Sequence, residues 1–334
     1  MKKKIGVISL VLLLLALFVA NIFWGSVHID AAEVVRAVIH PGDNDNIAFI
    51  INNSRMPAAL TATLAGASLA AAGLMLQTAF HNPLAGPSIL GISAGANLGV
   101  AIVMLAMGGG VVTSVYAVNE NVAVIAAALI GSLAVMALLI FFSAILRNNL
   151  MLLITGIMVG YLTSSIISLL NFLASAENIQ GFIIWGMGNF NGVSMRQMPV
   201  FALLCIVGLV LSLLLVKFLN AILLGERYAV NLGVNMQRAR TLLLLATGLL
   251  TAVITAYCGP IAFIGLATPH IAFLAIGTSN HRLLMPTTML SGSIIALLCN
   301  LISTMPSNTV IPLNAVTPIM GVPVILYIVL KRDV

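Results

Sequence analysis

The chain has 334 residues, of which 61% are hydrophobic and 7% charged, with a formal net charge of +6. Soluble globular chains carry about 25% charged residues, so this sequence cannot cover an ordinary water-facing surface. Soluble, disordered, nucleic-acid-binding and disulfide-scaffold classes are excluded. No Asp, Glu, Lys or Arg occurs from Met56 to Asn119, from Thr241 to His281 or from Leu283 to Leu330, and each stretch exceeds the roughly 20 mostly apolar residues that cross a bilayer.

Charges, Gly/Pro clusters and polar loops divide the chain into apolar runs. In chain order they predict spans at 5–25, 57–79, 88–107, 121–144, 150–172, 197–219, 241–258, 260–276, 284–304 and 314–330. The first follows Met1-Lys2-Lys3-Lys4 and could be a signal peptide; its length and the lack of a clean small-x-small site favour a retained helix. Between the first two spans, Ala31 to His40 predicts a short amphipathic helix stopped by Pro41-Gly42. Between the fifth and sixth, about 179–190 is too short to cross and predicts a re-entrant or surface helix on the outer side. The expected architecture is a single all-α integral membrane domain over 1–334 with ten transmembrane helices. Its longest inner loop is about 220–240.

Basic residues set the expected orientation. With the N-terminus in the cytoplasm and ten alternating spans, Lys2, Lys3, Lys4, Arg147, Lys217, Arg227, Arg238, Arg240, Arg282, Lys331 and Arg332 fall inside. Only Arg36, Arg55 and Arg196 fall outside. Both termini are then cytoplasmic, and an extra or missing span would scramble the asymmetry.

The predicted spans lack the intramembrane acids and bases that ion-coupled carriers use as relays; Lys217 sits at a cytoplasmic end, where it can snorkel. No nucleophile–base pair, HExxH, phosphate-binding Gly loop or paired carboxylate is present, so the chain is not expected to be an enzyme. Cys205, Cys258 and Cys299 have no metal-like spacing. The runs AALTATLAGASLAAAG from Ala58 and GISAGANLG from Gly91 suit close helix packing. Pro83, Pro87, Pro260, Pro269, Pro318 and Pro323 point to broken helices, which membranes tolerate inside protein or beside a water-filled path. The second span runs into His81-Asn82-Pro83-Leu84-Ala85-Gly86-Pro87. The seventh runs into Gly259-Pro260-Ile261-Ala262-Phe263-Ile264-Gly265. This echo suggests an inverted repeat of spans 2–5 and 7–10.

Several motifs together carry a family resemblance. Arg55-Met56-Pro57, the small-residue helix, Asn82-Pro83-Leu84-Ala85-Gly86-Pro87 and Leu90-Gly91-Ile92-Ser93-Ala94-Gly95-Ala96 resemble the opening signature of the FecCD-type permeases. These are membrane subunits of ABC importers for iron chelates (siderophores, haem) and vitamin B12. The second half agrees: Leu224-Gly225-Glu226, Leu232-Gly233-Val234-Asn235, Gly259 to Leu266, Pro269-His270-Ile271 and His281-Arg282-Leu283-Leu284. The similarity runs from Arg55 to Arg332.

The resemblance implies an ABC importer type II permease fold in the bacterial cytoplasmic (inner) membrane. It implies a homodimer, or a pair of similar subunits, with the pathway at their interface. Two cytoplasmic ABC ATPase subunits would carry ATP and Mg, and an extracytoplasmic substrate-binding protein would dock outside. This chain itself would bind no cofactor, metal or nucleic acid; its surroundings are membrane lipid. The alternative is an ion-coupled secondary transporter or channel.

Site residues follow from the same resemblance. Gly225, Glu226, Arg227, Tyr228, Leu232 and Gly233 match the ATPase-coupling element; otherwise they form an ordinary solvated loop. Arg55 matches a binding-protein docking arginine, or is an interfacial anchor. Ala58 stands where the family often carries a second arginine and no basic residue lies near Thr304, so Arg36 and Arg196 are further candidates. Asn148 and Asn149 match the cytoplasmic gate, or cap the fifth span. Met158, Tyr161, Ser165, Trp185, Met187, Asn189, Met320 and Tyr327 are candidates for the pathway lining; otherwise they pack against core or lipid. His270 is expected to be a structural, hydrogen-bonded histidine, and His28, His40, His81 and His281 are placed in loops.

Overall fold

The computed structural model describes residues 2–39, 46–106, 120–146, 149–305 and 310–332. His40, the Pro41-Gly42 stop, Arg147, and Asn148 of the expected gate lie outside them, as does the side chain of Asn149. Among the described residues the chain is helical, with no strand. The elements are α1 (Lys2–Phe23), α2 (Ala31–Ile39), α3 (Asn46–Ile50), α4 (Met56–Ala79), α5 (Ile92–Ala101), α6 (Glu120–Ile145), α7 (Asn149–Leu173) and α8 (Ala176–Gly186). They continue with α9 (Met198–Leu214), α10 (Val216–Leu223), α11 (Glu226–Asn231), α12 (Met236–Cys258), α13 (Ile264–Ile276), α14 (His281–Thr304) and α15 (Leu313–Arg332). A π turn, Ile51–Arg55, joins α3 to α4, and another, Ile102–Ala106, extends α5. The first lies just before Pro57, which has no N–H and crowds the carbonyl four residues back.

Each expected segment carries helix, with corrections at the edges. Among the described residues, α1, the run α3–α4, α6, α7, α12 and α14 are the 6 helices long and apolar enough to cross a membrane alone. The expected sixth span is instead a pair, α9 and α10, bent by 46°. The Ser212 hydroxyl donates to Leu209 O at 2.7 Å just before that bend, a back-bond of the kind that bends helices. The third and eighth spans begin at Ile92 and Ile264, later than 88 and 260. Gly91 (φ 76°), Gly259 (φ 75°) and Phe263 (φ 67°) hold those approaches out of helical geometry. α12 and α14 start earlier than expected, capped by Asn235 and Asn280, whose side chains accept from the amides of Arg238 and Arg282. α2 starts as expected, with Asp30 Oδ1 accepting from Ala31 N at 2.8 Å. The short helix α8 begins at Ala176 behind its N-cap Ser175.

The helix pairs that pack form a doubled pattern. α4 meets α14 as α12 meets α6; α5 meets α6 as α13 meets α14. Likewise α5 meets α7 as α13 meets α15, α6 meets α7 as α14 meets α15, and α4 meets α13 as α12 meets α5. Exchanging α4–α7 for α12–α15 maps each contact onto another, the packing signature of an internal repeat. α4 is the axis of the bundle. A Cβ on Gly66 would stand 2.2 Å from Gly292 O, and one on Gly73 would stand 1.7 Å from Gly265 O. Bare backbone is therefore required where α4 meets α14 and α13, since packing of this closeness replaces the hydrophobic drive that lipid cannot supply.

Candidate functional site

α10 ends at Leu223 and leads through Leu224 and Gly225 (φ 104°) into the one-and-a-half-turn helix α11. Gly233 (φ 82°) stops α11. Gly233 N donates to Val230 O at 2.9 Å and Val234 N to Ala229 O at 3.0 Å, the paired bonds of a left-handed helix stop. Ala229 is buried and anchors the helix, whereas Arg227 and the apolar Leu224, Tyr228, Val230 and Leu232 are exposed. Glu226 pairs with Arg240 at 3.6 Å, and Arg240 donates to Leu146 O at 3.2 Å. The sequence places Glu226 among residues facing a partner; the structure uses it as a brace between α11, α12 and the end of α6. The product is a small rigid projection with an apolar face.

A second surface lies along α7 and α15. Met158, Tyr161, Leu162, Ser165, Leu169 and Phe172 recur at helical spacing and are exposed, with Tyr161 at 67%. On α15, Ile319, Val322, Leu326 and Tyr327 are exposed. Two expected wall residues are turned partly inward instead. The Trp185 ring stacks on Phe182 at 6.2 Å and packs beside Ala96, Val100, Ala128 and Ala256. The Cys299 thiol donates to Met320 Sδ at 3.5 Å. Met187 and Asn189 keep exposed side chains on a fixed backbone: Asn314 N donates to Met187 O at 3.1 Å and Asn189 N to Cys258 O at 2.9 Å.

Asn314, which the sequence did not single out, staples this region. Its Nδ2 donates to Gly186 O at 2.9 Å and Pro260 O at 2.6 Å, and its Oδ1 accepts from Ala262 N at 3.3 Å. One amide thereby joins the end of α8, the break before α13 and the start of α15. A lone amide opening an otherwise apolar last span was the available signal.

The expected docking arginine behaves differently. Arg55 is buried at 7% exposure. It donates to Ile22 O at 3.0 Å, to Phe23 O at 2.8 Å and to Val27 O. These are carbonyls at and beyond the end of α1, where a helix has unsatisfied acceptors and favours a cation. In the protomer the Arg55 guanidinium ties the end of α1 to the start of α4. Arg36 and Arg196 are exposed.

Three histidines, His81, His270 and His281, bond within the chain. His270 Nε2 donates to Pro83 O at 2.9 Å, as expected of it. His81 and His281, placed in loops by sequence, close the ends of α4 and α14. Together with Tyr327 they line a pocket of ≈ 460 Å³ that also reaches Gln77, Pro269 and Leu223. Among the described residues no group of three or more His, Cys, Asp or Glu could hold a metal ion, and the cysteines are free and buried.

Pro83, Pro87 and Pro260 lie in non-helical segments between helices, whereas Pro269, Pro318 and Pro323, expected to mark breaks, lie inside the continuous helices α13 and α15. A many-helix apolar bundle with a doubled packing pattern and a rigid projecting loop defines the class: a polytopic membrane transport subunit. The sequence matches the FecCD transport family over residues 13–331, and the chain belongs to that family. It is 30% identical to the hemin transport system permease protein HmuU of Yersinia pestis, across 98% of this chain and 95% of that one. It is 32% identical to the vitamin B12 import system permease protein BtuC of Yersinia pseudotuberculosis, across 83% of this chain and 80% of that one. A solved chain, described as an inward-facing ABC transporter assigned to the metal-chelate type, superposes with a TM-score of 0.85 at 28% identity, covering 98% of this chain and 99% of that one. The chain is accordingly a permease subunit of the ABC importer class.

Proposed function

We propose that this chain forms the membrane pathway of an ATP-driven importer for iron chelates (a siderophore or haem) or a corrinoid. Two copies meet along α7 and α15, and the substrate passes between them. Two ABC ATPase subunits, holding ATP and Mg, dock from the cytoplasm on Leu224, Tyr228 and Leu232. A substrate-binding protein docks outside, with Arg36 and Arg196 steering the encounter. Asn148 and Asn149 close the cytoplasmic end of the path, and both termini lie in the cytoplasm of a bacterial inner membrane.

The observation that carries this reading is the projection Leu224–Gly233: an apolar face on a braced, glycine-bounded helix is a surface made for a partner. The absence of Asp, Glu, Lys and Arg from Thr241 to His281 and from Leu283 to Leu330 leaves those spans without relay groups for an ion gradient. The test is uptake of haem, a ferric siderophore and cyanocobalamin into vesicles holding the chain with its ATPase and binding protein. ATP-dependent uptake of one of them is expected. Uptake driven by an ion gradient without the ATPase would contradict the reading.

A further inference from the structure

α10 is the second half of the bent sixth span and leads into the projection α11, and two histidines fasten it to the bundle. His281, 1% exposed at the start of α14, makes three bonds to two partners. Its Nε2 meets Thr78 Oγ1 of α4 at 2.8 Å, its Nδ1–H reaches Asn220 Oδ1 of α10 at 3.0 Å, and its amide reaches the same oxygen at 2.8 Å. Asn220 Nδ2 in turn donates to Asn280 Oδ1 at 3.1 Å. On the neighbouring edge, His81 Nε2 donates to Ile222 O of α10 at 3.0 Å.

His81 holds this position at φ 47°, a left-handed conformation that residues with a Cβ seldom adopt. It occupies the helix-stop position of α4, with Asn82 N donating to Gln77 O at 3.1 Å and His81 N to Thr78 O at 3.3 Å. Glycine is the usual residue there. A strained histidine whose ring reaches another helix indicates a function for the ring rather than for the turn.

We infer that His81 and His281 are positioning residues of a clamp that ties α10 to α4 and α14, so that displacement of the projection α11 moves the core of the bundle instead of swivelling freely on Leu215. α10 buries Val216, Leu219 and Ile222 against the core cluster shared with α4, α12 and α14, and the clamp fixes its register there. This rests on the ATPase-docking reading of α11.

The test uses the full chain assembled with its ATPase in nanodiscs, the native cysteines replaced, and a spin label on Tyr161→Cys in each copy. The label-to-label distance is measured without nucleotide and with Mg·AMP-PNP. His81→Gly removes the ring and suits the left-handed turn. It is expected to assemble with a thermal midpoint within about 3 °C of the parent and to lose at least half of the nucleotide-dependent distance change. His281→Ala is expected to lose it further, and His281→Gln, which keeps a donor, to recover part. Should His281→Ala not fold, His81→Gly decides. A full distance change in His81→Gly overturns the clamp alone. No assembly or no distance change in the parent overturns the docking reading, and the clamp with it.

Discussion

α4 and α7 are apolar helices of nearly the same length, 24 and 25 residues, with different surroundings. In an 18-residue apolar stretch of the span that contains α4, 83% is buried within the protomer, against 22% for that of α7. Mean hydropathy does not separate them strongly, at 1.7 and 2.0. Side-chain size does: α4 is built of Ala, Gly, Ser and Thr where it meets α14 and α13, and α7 presents Met, Tyr, Leu and Phe outward. Hydropathy therefore reports that a segment leaves water, and residue size reports whether it faces its own chain. The serines on α7, Ser164, Ser165 and Ser168, lie exposed among those large residues. The Ser168 hydroxyl donates to Ser164 O at 3.0 Å, and this mixed polar and apolar face is the one proposed above to line the path.

The largest effect tests the α4 side. Gly66→Leu would drive a side chain into the Gly292 carbonyl and force α4 from α14. We expect a loss of about 3 kcal/mol or more, read as lost detergent-stable protein or a thermal midpoint lowered by roughly 6–12 °C. Next comes Arg55→Met, which strips the end of α1 of its donors. A loss of about 1–3 kcal/mol is expected, with Arg196→Glu leaving the thermal midpoint unchanged. A stable Arg55→Met protein that fails to bind the substrate-binding protein would return Arg55 to the docking role. Glu226→Gln removes one half-exposed ion pair and should shift stability by about 0.2–1 kcal/mol, while loosening α11 enough to lower ATP hydrolysis coupled to uptake. The smallest stability effect is expected on α7: Tyr161→Arg should change the protomer's unfolding by at most about 0.5 kcal/mol yet abolish pairing of two copies on size-exclusion chromatography.

Legibility in the sequence followed the same division. Composition exposed the membrane class, the apolar runs showed where helices lie, and the Gly/Pro echo after the second and seventh spans anticipated the doubled packing. Boundaries failed where polar residues act locally. Arg238 and Arg240 read as a break, but Asn235 caps a helix through them. Ser212 bent a span that hydropathy read as straight. The projection Leu224–Gly233 was legible because Gly225 and Gly233 mark its ends. Arg55 was legible as a residue that matters, not as what it touches, because the carbonyls it binds lie 28 to 33 positions away in sequence. Asn314 and His281 were missed for the same reason: single polar side chains whose partners only the fold assembles.

The central claim is that the exposed wall of α7 is covered by a second copy of this chain. Cysteine cross-linking in native membranes tests it most directly, comparing Tyr161→Cys on α7 with Leu203→Cys on α9, both exposed in the protomer. A covalent dimer from Tyr161→Cys and none from Leu203→Cys is the predicted result. The reverse pattern, or monomers from both, would contradict it.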